Sequence, residues 1–230
     1  MLSDPQIERY SRQIILPQVG GKGQEKLLRA RVLVNGSGPP QTAALLYLAA
    51  AGVGTIGVIA GDSSPVLSAF APDQRDAASA ALTRLNPDCT VVTYQATDLA
   101  GPEQIVQEYG LVLSPPGPLH ETCYTLRRPF LCAQVSAAGT WLFPCLGYEA
   151  DRPCLRCLPP HFFGEEASVP TLAALFLGTL QATEAIKFVL GLTLLSSLDK
   201  LLLCQFPALH FSEQVISKDS QCKLCGRLGS

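Results

Sequence analysis

The chain has 230 residues, 47% of them apolar and only 16% charged, which is enough to bury one large core or a core with a small appendage. Its formal net charge of −2 offers no basic surface to nucleic acid or to an anionic membrane, so neither is expected as a partner. The opening Met1-Leu2-Ser3-Asp4-Pro5 turns polar at once, and nine cysteines are present; together these read as a chain of the reducing cytoplasm.

Ser3-Asp4-Pro5 is a helix start, a capping residue followed by a proline whose missing N–H costs nothing there. The helix should carry Ile7, Arg9, Tyr10, Arg12 and Gln13, with Pro17 and the Gly20-Gly21 pair ending the segment. A short helix over 24–29 leads into Val32-Leu33-Val34, a buried strand. Asn35-Gly36-Ser37-Gly38-Pro39-Pro40 then turns into a helix over 41–51, with Gly52 placed as a helix-ending glycine, and a strand over 55–59. Strand, glycine turn, helix and strand make a βαβ unit and imply a parallel sheet. A helix over 73–85 stops at Asn86-Pro87. Strands over 90–94 and 111–113 bracket a helix over 103–108, and 130–133 and 141–145 read as further strands. The most apolar stretch, 170–195, is broken by Gln181, Glu184 and Lys187, so it reads as a buried or interface helix and not a membrane span. An apolar strand over 201–206 precedes the tail. The expected organisation is a helical arm over 1–30, a nucleotide-binding-type α/β region over 31–150 and a C-terminal region over 151–230, all in one compact domain.

Cys154-x-x-Cys157 and Cys222-x-x-Cys225 can supply four thiolates to one tetrahedral zinc ion. Their separation means that the ion would clamp a distant tail and not a local finger. Four protein ligands leave no open position, so the expected role is structural. Cys89, Cys123, Cys132, Cys145 and Cys204 lie mainly on apolar segments and read as core, Cys123 least clearly because Arg127 and Arg128 follow it.

Gly36-Ser37-Gly38 between strand and helix is a context in which backbone N–H groups cradle phosphate. The third glycine of the full fingerprint is Gln41 here, Pro39-Pro40 remove two donors, and the acid expected at the second strand's end is Ala60, with Asp62 two positions on. The turn by itself therefore reads either as a weakened nucleotide site using Gly36, Gly38 and Asp62 or as a tight turn that binds nothing.

Beyond these motifs, Glu8-Arg9-Tyr10-Ser11-Arg12-Gln13-Ile14-Ile15-Leu16, Gly23-Gln24-Glu25-Lys26-Leu27 and Arg31-Val32-Leu33-Val34 resemble the opening of the E1-like activating enzymes, the relatives of ThiF and MoeB. Tyr47-Leu48-Ala49-Ala50-Ala51-Gly52, Pro153-Cys154-Leu155-Arg156-Cys157-Leu158, Gln181-Ala182-Thr183-Glu184-Ala185 and Cys222-Lys223-Leu224-Cys225-Gly226 continue the resemblance in order along the chain. It implies a Rossmann-like sheet, a homodimer or heterodimer, a structural zinc and a ubiquitin-like sulfur carrier or an E1-like subunit as partner. It also implies joining of the carrier's C-terminal glycine carboxylate to AMP from ATP and Mg²⁺, with Arg12 reaching the partner's phosphates.

The departures from the family fall together in the active site. The ribose acid is Ala60, the Ser-Asn-Leu-x-Arg-Gln segment has no counterpart before Asp73, and the lysine beyond it is replaced near Gln74 and Arg75. The Asp-x-x-Asp-Asn that serves Mg²⁺ is Ser114-Pro115-Pro116-Gly117-Pro118, and the loop after the first cysteine pair holds no thiol for a carrier adduct. Phosphate chemistry depends on neutralising charge and placing the metal. The expectation is therefore a pseudoenzyme that binds a carrier or an active partner without using ATP and Mg²⁺. The alternative is a divergent active adenylyltransferase with replacement groups among Asp62, Arg75, Arg127 and Glu121. A third reading puts another small ligand in a drier cleft lined by Pro39-Pro40 and Pro115-Pro116. An NAD-dependent oxidoreductase fits least, because the glycine fingerprint is broken.

Overall fold

Val32, Leu33 and Val34 are all buried, so the strand that carries them, β1 (Arg31–Asn35), must be covered on both faces. It pairs in parallel with β2 (Thr55–Ala60) on one side and with β4 (Leu111–Ser114) on the other. β3 (Thr90–Gln95) extends the sheet beyond β2, and β5 (Phe130–Ser136) lies parallel beyond β4. β6 (Gly139–Cys145), β7 (Lys200–Gln205) and β8 (His210–Val215) follow as antiparallel neighbours, giving one eight-stranded sheet of order β3-β2-β1-β4-β5-β6-β7-β8. The computed structural model describes residues 1–36, 38–60, 77–95, 101–136, 139–164, 171–192, 198–205, 208 and 210–226.

Alternation along the strands sorts the core into two layers. Val32, Val34, Leu111, Leu113 and Leu131 point to one face, which is covered by α2 (Gly20–Arg29), α3 (Pro39–Ala51), α4 (Ala77–Leu85) and α7 (Thr171–Leu190). Leu33, Val112, Phe130 and Cys132 point to the other, covered by α5 (Pro102–Val106), α6 (Leu119–Thr125) and the segment around Cys154 and Cys222. The long helix α7 packs along α3. At the closest approach, a Cβ on Gly178 would meet the Pro40 carbonyl oxygen at 1.9 Å, so only glycine fits. α7 is long and apolar enough to cross a membrane, yet Ala173, Leu177, Gln181, Ala182 and Ala185 are buried inside the protein, as expected of a core helix.

The arm α1 (Asp4–Ile14) is pinned by a polar corner. The buried Tyr10 hydroxyl donates to Asp88 Oδ2 at 3.0 Å and accepts from Asn86 Nδ2 at 2.9 Å, and Arg9 pairs with Asp88 at 3.1 Å. Gly52 ends α3 with φ +88°, and a Cβ there would lie 2.6 Å from Gln24 and 2.7 Å from Tyr10. Backbone handedness and the docking of the arm therefore both demand this glycine.

Several boundaries differ from the sequence reading. Gly20-Gly21 open α2 instead of ending the first segment, because Gly20 takes φ +59° at the helix entry. The helix expected over 103–108 is shorter, ending at Val106 before Gln107 and Glu108 cap it. α6 and β8 have no counterpart in the expectations. α6 is a seven-residue turn of helix, and β8 is exposed along its whole length, so neither carries an apolar period. The start of the helix expected over 73–85 lies outside the described residues.

Candidate functional site

Two features sit on the α5–α6 side of the sheet: a knot of four thiols, and a cleft at the strand ends. The knot is built by two short turns. The Cys157 N–H bonds the Cys154 carbonyl at 2.9 Å, and the Gly226 N–H bonds the Cys222 carbonyl at 2.9 Å. A Cβ on Gly226 would lie 2.5 Å from the Ser220 carbonyl oxygen, so the second turn closes only with glycine after the last cysteine. The sulfurs of Cys154 and Cys157 are 4.0 Å apart, those of Cys154 and Cys222 3.6 Å, and those of Cys157 and Cys225 3.4 Å. All four lie within 4.8 Å of one another, and none is in a disulfide. A tetrahedron of thiolates around zinc with Zn–S of about 2.3 Å has edges of about 3.8 Å, so the donor set fits that ion.

The electrostatics suits a dication at the centre of the four sulfurs. Burial holds the Cys154 thiol far above the ordinary range. Cys222 sits below that range: burial raises it, but the backbone N–H groups of Cys225 and Leu224 and the Cys154 thiol outweigh that by stabilising the thiolate. A dication would draw all four to the thiolate state. Asp219 N–H donates to Cys157 Sγ at 3.5 Å and orients it from outside the cluster. The remaining cysteines are buried, as their apolar settings predict. Burial pushes Cys89 up to about 11, and Cys123 and Cys145 up to about 12, so they are inert thiols.

The crevice between β1 and β4 lies at the point where strand order reverses, the usual ligand position of such sheets. Here it is clasped. Asn35 Nδ2 donates to Ser114 Oγ at 2.9 Å, and Ser114 donates onward to the Pro115 carbonyl at 2.8 Å. Gly36 has φ +110° and gives its N–H to the Ile59 carbonyl at 2.8 Å. Gly38 caps α3, and its carbonyl accepts both the N–H (3.0 Å) and the hydroxyl (3.1 Å) of Thr42. Gln41 is buried against the turn: a Cβ on Gly36 would meet its Cγ at 3.2 Å, and one on Gly38 its Oε1 at 3.1 Å. With Pro39 and Pro40 lacking N–H groups, the described part of this turn offers a phosphate few donors.

Arg12 lies exposed in the last turn of α1 and forms no ion pair among the described residues. Asp62, Gln74 and Arg75 fall outside the described residues. Of the other replacement groups, Arg127 lies past the end of α6 and its cap Leu126, just before β5 begins at the opposite end of the sheet from the crevice, and stands over the Tyr148 ring at 5.4 Å. It is therefore corrected out of the cleft. Glu121 lines the strand-end cavity but is engaged by Arg156. Pro116 lines that cavity too, whereas Pro40 is buried under Gly178, so the two proline pairs do not face one pocket.

The sequence reading missed His120 and Asn35. His120 is buried, accepts the Leu155 N–H at Nε2 (3.1 Å) and leans on the Phe130 ring, and burial pushes its pKa down to about 4. It is thus a neutral strut between α6 and the first cysteine turn. No local pattern marks it. Asn35, a polar residue ending the first buried strand, carried a positional signal.

Residues 10–63 match the ThiF family. The chain is 31% identical to the molybdopterin-synthase adenylyltransferase of Salmonella typhimurium, over 98% of this chain and 99% of that protein. It is 30% identical to the sulfur carrier protein ThiS adenylyltransferase of Escherichia coli, over 98% and 97%. In fold it is similar to the E. coli MccB crystal structure with succinimide, with a TM-score of 0.77 and 16% identity over 95% of this chain and 74% of that one.

Proposed function

Because the chain belongs to the ThiF family of E1-like proteins, we propose that it acts on a ubiquitin-like sulfur carrier as a divergent adenylyltransferase of the carrier's C-terminal glycine. The observation that carries this reading is the similarity, end to end and above 30%, to a protein named for that activity. It reverses the order of the two sequence-based readings. ATP with Mg²⁺, when bound, supplies the adenylyl group and the pyrophosphate leaving group.

The chain's own residues have three tasks. The turn at Gly36, Gly38 and the start of α3 borders the crevice in which a phosphate would sit and gives it few backbone donors, so Asp62 and Arg75 would have to serve as the ribose-side and basic replacements. The four-cysteine knuckle would hold zinc and tie the tail to the turn at Cys154, which His120 of α6 supports. Arg12, exposed and in no ion pair among the described residues, is offered to a second subunit's phosphates, where a guanidinium fork suits the oxygens. Exposed Ile15, Leu16 and Tyr47 support burial of that surface in a dimer, and the free thiols suit a reducing cytoplasm.

One observation favours the pseudoenzyme reading. Pro39, Pro40 and the buried Gln41 crowd the turn, and Ser114-Pro115-Pro116-Gly117 brings no carboxylate to the end of β4. ATP–pyrophosphate exchange with a sulfur carrier ending in Gly-Gly separates the two. Carrier-dependent exchange is expected; carrier binding without exchange or measurable ATP binding would leave the pseudoenzyme standing.

A further inference from the structure

The arm α1 has little apolar hold on the body of the protein. Tyr10 is its one buried residue, and Ile7 is exposed. Hydrophobic burial is non-directional, so one buried ring does not fix how the helix is turned about its axis. Directed bonds do, and three of them end on one carboxylate. Gln6 Nε2 donates to Asp88 Oδ1 at 3.3 Å, Arg9 Nε to Oδ2 at 3.1 Å and the Tyr10 hydroxyl to Oδ2 at 3.0 Å. Positions 6, 9 and 10 share one face of a helix. Asp88 sits on the turn between α4 and β3, and that turn is itself tied down. The buried Asn86 accepts the Asp88 N–H at 3.1 Å and donates to the Ala49 carbonyl of α3 at 2.7 Å.

Arg12 comes two positions after Tyr10, about 200° further round the helix and off the held face. It is exposed and forms no ion pair among the described residues. Slipping α1 by one residue would swing it by about 100° and carry it about 1.5 Å along the axis. We propose that Asp88 is a positioning residue for the reaction: by gripping Gln6, Arg9 and Tyr10 it sets the angle at which α1 presents Arg12 to a second subunit. The inference rests on the proposed role of Arg12 across a dimer. Stability is a poor account of the grip, because a partly exposed pair such as Arg9–Asp88 contributes little. Direction is a better one. A guanidinium fork meets phosphate oxygens in one plane, so its charge is useful only at the right angle.

The test is ATP–pyrophosphate exchange by mixed dimers of the full chain, purified through two affinity tags. One subunit carries Gly38→Asp and the other Arg12→Ala. Gly38 precedes α3 with φ −68°, where aspartate is a good helix cap, and the added carboxylate repels phosphate. The complete site then joins the turn of the Arg12→Ala subunit to the arginine of the Gly38→Asp subunit. Asp88→Ala on the subunit that lends Arg12 should lower kcat about tenfold, within what an ångström-scale misplacement costs, with the KM for the carrier unchanged. The same substitution on the other subunit should change nothing, since that arm has already lost its arginine. Equal losses from either subunit, which a merely structural role would give, overturn the inference, and so does no loss from the arm-lending one. Mixed dimers that are inert while the wild type is active overturn it too, because Arg12 then does not act across the interface. A wild-type chain without pyrophosphate exchange sinks the adenylation, and amide hydrogen exchange then tests the grip by itself. Asp88→Ala should speed deuterium uptake in α1 about tenfold while α3 and β3 keep their rates; unchanged uptake in α1 overturns the grip.

Discussion

Removing the metal should cost the fold a measurable and calculable amount. Cys154 and Cys222 stand 68 positions apart, so a zinc ion held by both would close a loop of that size much as a disulfide would. The chain-entropy relation for a cross-link of that length gives about 4 kcal/mol. For a domain of this size each kcal/mol moves the melting temperature by roughly 2–4 °C, so the loss should be roughly 8–16 °C. The knuckle also covers Leu155, Leu158, Phe162 and Ile216 in the core of the α5–α6 face, which places the estimate toward its upper end. The experiment is differential scanning calorimetry of the chain before and after chelation, with zinc counted by atomic emission, and a Cys225→Ser variant alongside. One zinc per chain and a matching drop in both samples are expected. A chain that is isolated without metal and melts at the same temperature before and after chelator treatment would refute the clamp.

The other predictions address packing, docking and the turn. Gly178→Ala drives a Cβ onto the Pro40 carbonyl oxygen and should destabilise by about 1–3 kcal/mol, read as a lower urea midpoint. Tyr10→Phe removes the hydroxyl shared by Asn86 and Asp88; a loss of about 1 kcal/mol and faster proteolysis of the first helix are expected, and an unchanged cleavage rate would count against the corner as the arm's anchor. Pro40→Ala returns one N–H to the start of α3 and should tighten ATP binding roughly tenfold, the value of one hydrogen bond to a charged group, measured by calorimetry. Arg12→Ala should abolish exchange in a homodimer, and mixing it with a variant defective in its own turn should restore part of it if the arginine acts across the interface.

How far the sequence spoke follows from how local each signal is. Val32-Leu33-Val34 and Leu111-Val112-Leu113 are apolar at every position because helices cover both faces, so the parallel strands were visible from composition alone. Gly52 was legible because a left-handed residue at a helix end nearly requires glycine, but its contacts with Tyr10 and Gln24 were not, since they join residues far apart in the chain. The four cysteines were legible as pairs, and only the fold brings the pairs to within 4.8 Å. β8 was invisible: His210, Ser212, Glu213 and Gln214 face solvent, and what makes the segment a strand is the unsatisfied edge of β7 beside it. Arg127 shows the opposite error. It stood among the basic groups that could replace the missing phosphate ligands, but α6 runs back along the sheet and carries the chain to the far end before Arg127 is reached.

The turn after β1 and the knuckle carry different kinds of constraint. At the turn, Pro39, Pro40 and Gln41 replace donors with atoms that pack: Pro40 lies under Gly178, and Gln41 fills the space below Gly36 and Gly38. Such substitutions trade ligand contacts for helix–helix packing, a trade that stability alone would favour. The knuckle has no comparable reason to keep an exposed lysine between its last two cysteines, since neither the ion nor the core uses that side chain. Arg156 in the other pair is likewise turned toward the cavity, where it meets Glu121. Both intervening cations therefore face the same opening. A clamp needed only for the tail places no demand on their charge, so Lys223→Glu should leave both the metal content and the melting temperature unchanged, and a fall in either would give that lysine a part in the clamp.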